Sequence, residues 1–99
     1  MNNQKFLEKL KNRGKILLII ISKKYKINPK YLDKSIKVIM NKFNIEKKEV
    51  IIEEYENLPE ELQILIDEIP YFLVYKYNKE KNEIKLLFSE SGYILDITN

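Results

Sequence analysis

Six consecutive apolar residues, Ile16 to Ile21, sit near the start of a 99-residue chain in which 33% of positions are charged. A chain this short builds one domain (1–99) around one core, and such a run is satisfied only by crossing that core. Four of the six are Ile, which favours a buried strand. Leu17, Leu18, Ile21 and Tyr25 also fall on one side of a helix, so a helical reading stands beside it. A helix of this composition is apolar almost all round and needs burial on both sides or a second subunit. Six residues are too few to span a bilayer, and no small-residue cleavage site follows Lys5, Lys9, Lys11, Arg13 and Lys15. The expectation is therefore a cytoplasmic protein without membrane insertion.

Upstream of the run, Asn2 or Asn3 can cap a helix that turns Phe6, Leu7 and Leu10 inward, with Lys11 and Arg13 near its negative end and Gly14 as the stop. The three-four spacing of Leu7, Leu10, Gly14, Leu17 and Ile21 also allows one helix from about residue 3 to 25. Downstream the pattern is sharper. Asn28 is a good N-cap, Pro29 suits the first helical position, and Leu32, Ile36, Ile39, Met40 and Phe43 recur at helical spacing. Lys30, Lys34, Lys37 and Asn41 share a narrow sector roughly opposite. Lys neutralises phosphate and Asn can pair with adenine, so the stripe suits DNA; it is also the ordinary solvated face of a Lys-rich helix.

The run Ser22-Lys23-Lys24-Tyr25-Lys26-Ile27-Asn28-Pro29-Lys30-Tyr31-Leu32, continuing to Ser35-Ile36, resembles the helix-turn-helix pattern of bacterial and archaeal regulators over residues 18–37. The candidate unit spans 15–43: a small residue at Ser22, packed positions at Tyr25, Ile27, Leu32 and Ile36, and Asn28 capping the recognition helix. Lys26 stands where the family has its turn Gly and would have to adopt a left-handed conformation. The resemblance implies that the second helix enters the major groove with Lys30, Tyr31, Lys34 and Lys37 nearest the DNA.

Beyond Phe43 the character changes. Residues 49–68 hold eight acids and no base. Glu49 to Tyr55 reads as a short strand or irregular segment. Leu58-Pro59-Glu60-Glu61 opens an expected acidic helix over 59–69, whose inner face is Leu62, Leu65, Ile66 and Ile69. Residues 71–97 then read as a three-stranded antiparallel meander: Tyr71 to Tyr77, Glu83 to Phe88, and Tyr93 to Ile97. The fold class is α+β, an N-terminal helical, helix-turn-helix-like part packed with that meander. In a DNA-binding protein Lys79 and Lys81 would lie at the tip of a wing; otherwise they belong to a soluble turn.

Charge divides the chain. Residues 1–48 carry 14 Lys and Arg against three acids, a net of +11, and residues 49–99 carry four Lys against 12 acids, a net of −8. One half can bind phosphate while the other repels it, or the two neutralise each other within or between subunits. With neither Cys nor His there is no disulfide, thiol or zinc chemistry and no Ser–His catalysis, so no enzyme, metal or cofactor is expected. Asp67 with Glu83-Ile84-Lys85 resembles the Asp…Glu-x-Lys set of metal-dependent nucleases, but alternating Glu and Lys on a half-exposed strand explains the same residues. The Lys, Glu, Ile and Tyr richness resembles the small orphan proteins of viruses that infect hyperthermophilic archaea.

The leading functional reading is a small nucleic-acid-binding regulator, viral or host, using Lys30, Tyr31, Lys34, Lys37, Asn41, Lys79 and Lys81 on DNA. The alternative is a protein-interaction module that engages a host protein through its acidic 49–68 segment. Either is expected to be a homodimer, because small domains gain from added burial. Few Gly, short turns and a Lys/Glu-rich surface accompany thermal tolerance, so unfolding is expected above about 80 °C. A calorimetric midpoint at roughly 45–65 °C, the mesophile range, would trace the composition to codon usage instead.

Overall fold

Gly14 settles the ambiguity of the apolar run. Its φ of 84° lies where side chains are disfavoured, its N–H returns to the Leu10 carbonyl at 2.7 Å, and the chain leaves the helix as a strand. The computed structural model describes residues 3–96, beginning with α1 (Asn3–Arg13) and β1 (Lys15–Ile21). After a loop come α2 (Pro29–Phe43), β2 (Val50–Glu54) and a one-turn helix α3 (Glu60–Gln63), then β3 (Tyr71–Asn78) and β4 (Glu83–Ser91). The strands form one sheet in the order β2-β1-β3-β4. β1 runs parallel to β2, and β3 is antiparallel to both of its neighbours.

As an inner strand, β1 is covered on both faces, which is why its apolar residues run without a break. Leu17 and Ile19 point to the α2 face, where Phe72, Val74, Ile39, Ile45 and Ile94 complete one core cluster. Leu18 and Ile20 point to the α1 face and pack with Leu58, Phe6, Ile66, Ile69 and Tyr75. The helical reading of Ile16–Ile21, and with it the N-terminal helical part and the single helix over about 3 to 25, is thus corrected. β-Branched residues flanked by partner strands gain more from the pleat than from a helix that has nothing to cover half its circumference.

α2 forms as the sequence implies. The Asn28 side chain accepts from the backbone N–H groups of Lys30 and Tyr31, Pro29 opens the first turn, and Asn44 closes the helix at φ 53°. By contrast, the acidic helix expected over 59–69 shrinks to Glu60–Gln63. Beyond it Leu65 and Ile66 make tight i to i−3 turns, and the Tyr55 hydroxyl donates to the Gln63 carbonyl at 3.1 Å. The intended inner face is split: Ile66 and Ile69 reach the core while Leu62 and Leu65 stay exposed. A helix without a continuous buried face loses its main source of stability.

The three-stranded meander is a two-stranded hairpin. β4 continues past the expected end at Phe88 to Ser91, and the chain turns away at Gly92, φ 79°. Residues 93–96 cross α2 rather than the sheet: the Ile94 N–H donates to the buried Ser35 hydroxyl at 2.8 Å, and the Asn28 N–H donates to the Tyr93 hydroxyl at 2.8 Å. The sheet's remaining places go to β1 and β2. Ile97 and the capping side chains assigned to Asn2 or Asn3 lie outside the described residues. Among the described residues no helix is long and apolar enough to cross a membrane.

Ser35 holds two segments at once, because its hydroxyl also donates to the Tyr31 carbonyl at 2.8 Å. Ser35→Ala should leave the Ile94 N–H buried and unpaired and cost about 1–3 kcal/mol. Urea unfolding measures this directly, and a midpoint equal to the wild type would show that the tail does not depend on the hydroxyl.

Candidate nucleic-acid interface

α2 is the outer layer of its face. Ile39 and Ser35 are fully buried, Leu32, Ile36 and Phe43 pack on the sheet, and Lys30, Lys34, Lys37 and Asn41 are left exposed, as their sector implies. Asp33 lies beside them and pairs with Lys37 at 3.0 Å, removing part of one charge. Tyr31 is half exposed, its ring edge-on to Tyr93 at 5.6 Å between centroids. Lys26 does not take the left-handed conformation that the helix-turn-helix pattern asks of it; among the described residues other than Gly, only Asn44 and Asn82 have positive φ. With β1 in place of a helix before the turn, α2 has no helical partner in that arrangement.

The sheet supplies what the sequence did not. Lys15 stands opposite Lys76, and Lys76 opposite Lys85, so three lysines lie side by side across β1, β3 and β4 on the α2 face. They are distant in sequence, and strand alternation assigns each to a face without revealing the register that aligns them. The Lys15 ammonium donates to the Phe43 and Asn44 carbonyls at 3.1 and 3.2 Å, placing the row beneath the C-terminal end of α2. Lys79 and Lys81 are exposed just beyond it, in the β3–β4 turn, where the Asn78 side chain accepts from the backbone N–H groups of Glu80 and Lys81. Arg13 is spent on Glu46 and the buried Glu49, at 2.8 and 3.7 Å. Lys30, Lys34, Lys76, Lys79, Lys81 and Lys85 make no ion pair among the described residues.

Glu54 and Glu56 lie at the opposite end of the sheet, whereas Glu80 and Glu83 share the β3–β4 turn region with Lys79 and Lys81. The Ser22 hydroxyl and the Lys23 N–H donate to the Glu56 carboxylate, and the Ser22 bond above all holds that carboxyl below its ordinary range. Lys23–Glu54 at 3.4 Å joins the basic and acidic halves of the chain there. Asp67 precedes β3, whereas Glu83 pairs with Asn78 at its far end, so the nuclease-like set is split by the strand's length, roughly 20 Å or more. Among the described residues no group of three or more acids is placed to hold a metal. No family model, curated protein or solved structure matches the chain.

Like charges directly opposite in a sheet are destabilising, and Lys76 stands in the middle of three. Lys76→Glu should therefore stabilise the free protein by about 0.2–1 kcal/mol, an effect that shrinks as salt screens the row. Urea midpoints at low and high salt read this out; an unchanged or lower midpoint at low salt would mean that the ammonium groups splay far enough apart not to interact.

Proposed function

We propose that this protein binds nucleic acid through one basic surface, formed by the outer face of α2 and the lysines at the adjoining end of the sheet. The observation that carries the reading is the aligned row Lys15, Lys76 and Lys85 beside Lys79 and Lys81. Lys15 is held by the carbonyls at the end of α2, while the exposed Lys76 and Lys85 have no ion pair among the described residues, and a phosphate backbone neutralises them. Lys30, Lys34 and Lys37 extend the positive surface along α2, and Asn41 offers one group able to pair with a base edge. The contacts are dominated by phosphate, so binding is more electrostatic than sequence-selective. A small regulator of a virus or its host is the setting that the composition suggests.

Duplex DNA should shift in a gel at about 50 mM salt, and affinity should fall steeply as salt rises. Replacing Lys30, Lys34 and Lys37 together by Glu should nearly abolish binding while each exposed change alters stability by no more than about 0.5 kcal/mol. Changing Lys79 and Lys81 to Glu should weaken binding and lower the log–log salt slope by roughly two. A wild-type protein that shifts no DNA at low salt overturns the reading.

A second reading draws on the other face. Ile64 and Leu65 are 82% and 71% exposed beside Glu60, Glu61, Asp67 and Glu68, a surface suited to a partner that is apolar and basic. Loss of partner binding in an Ile64→Ser, Leu65→Ser variant whose DNA binding is intact would separate this role from the first.

A further inference from the structure

Strand β4 closes one side of the sheet and has no neighbour beyond it among the described residues. It is nine residues long, its residues 83–87 are all exposed, and Ile84, Leu86 and Leu87 expose 42%, 48% and 38% of their surface. A long apolar edge is a template for another strand. The other edge, β2, has five residues and is bounded by 3-10 turns at Lys47–Glu49 and Tyr55–Asn57, and its Glu54 is already paired with Lys23.

We propose that β4 is a homodimer interface, at which the edge strands of two copies pair antiparallel about a two-fold axis and join the two sheets into one. What selects a second copy as the partner is that β4 complements itself. Lys85 and Glu90 lie opposite Lys76 and Phe72, on the α2 face, while Ile84, Leu86, Ser89 and Ser91 lie opposite Tyr77, Tyr75, Leu73 and Tyr71 on the α1 face. An antiparallel register that sets Leu86 against Ser89 of the second copy also sets Ile84 against Ser91 and Lys85 against Glu90. Each pair shares a face, and the opposite charges meet twice, once on each side of the axis.

The backbone agrees with this register. The Tyr77 N–H donates to the Gly14 carbonyl toward β1, so by alternation Phe72 and Lys76 turn their peptide groups toward β4. Their partners Glu90 and Lys85 are thus engaged with β3, and the peptide groups of Ile84, Leu86, Ser89 and Ser91 are the ones that face outward. Lys85 and Glu90 then fall at a non-hydrogen-bonded position, where side chains come closest. The irregularity opposite Val74 and Tyr75 adds the extra residue that lets Leu86 and Ser89, an odd distance apart, share a face. A charged residue and a bulge are devices that discourage indiscriminate edge pairing; here both are met by their counterparts in one register. The two-fold axis stands perpendicular to the sheet, so both α2 helices lie on the same side of the joined sheet.

Light scattering at micromolar concentration should give about twice the 12.0 kDa of one chain. Lys85→Glu and Glu90→Lys should each raise the dimer dissociation constant on the order of tenfold, and the double exchange should restore it. The chain has no Cys, so register is tested by disulfide formation. A mixture of Lys85→Cys protein with Glu90→Cys protein should cross-link, and neither variant should cross-link to itself. A monomeric wild type at about 100 µM overturns the proposal, as does a dimer that ignores both charge reversals and forms no mixed disulfide. Lys85 also belongs to the basic row, so DNA binding is read on the wild type and on the Lys79 and Lys81 variants, and loss of one property does not decide the other.

Discussion

Everything in this fold is referred to β1. Ile16, Leu17, Ile19 and Ile20 are at most 1% exposed, and burying each side chain of this kind contributes about 1.5–3 kcal/mol. Because consecutive residues of a strand point to opposite faces, one stretch of chain seeds two cores at once. That double burial dictates the layers: α2 must cover one face, and α1 with the 58–69 segment must cover the other. It also dictates where β1 sits, since only an inner strand has its backbone groups satisfied on both sides while its side chains are covered on both faces.

The two covers differ in quality. α2 is capped at both ends, held by Ser35 and Asn28 to the C-terminal tail, and packed through Phe43 onto Phe88 at 5.4 Å. Neither face is closed completely: beside α2, Ile36, Met40, Val50 and the exposed Ile52 line an open groove of about 520 Å³. Between α1 and the 58–66 segment an apolar groove of about 230 Å³ remains, lined by Phe6, Leu58, Leu62, Leu65 and Tyr75 among others. Burial there, with Tyr71 nearby, raises the Tyr75 hydroxyl above its ordinary pKa. The α2 face therefore carries its charges outward on a helix capped at both ends, while exposed apolar residues occur on both faces and along β4.

What the sequence disclosed and what it withheld follow the range of the interactions. α2 was readable to the residue because its signals are local: Asn28 caps, Pro29 opens, and the inward and outward sectors come from spacing alone. The apolar run could not be resolved alone, since Ile16 to Ile21 satisfies either period and the deciding groups, Val50 to Glu54 and Tyr71 to Lys76, lie far along the chain. The acidic helix failed for a related reason. Its pattern was sound, but Leu62 and Leu65 stay exposed along the groove instead of packing into the core, and an amphipathic pattern yields a helix only when its apolar face is met. For the same reason the exposed lysines of α2 and the β3–β4 turn were nameable in advance, whereas Lys15, Lys76 and Lys85 became a group only through the strand register.

The hairpin β3–β4 concentrates features that do not help an isolated chain. It aligns Lys76 and Lys85 with Lys15, where like charges oppose folding, and it leaves Ile84, Leu86 and Leu87 on an unpaired edge, where association competes with solubility. Each has a remedy in sequence that leaves the fold intact: an acid at position 76, or a polar residue at 84 or 86. The hairpin keeps both features although its turn is well made, with Asn78 accepting from Glu80 and Lys81, and Asn82 in the left-handed region. A bound anion would neutralise Lys76 and Lys85, a second β4 strand would cover the edge, and both features lie on the one hairpin.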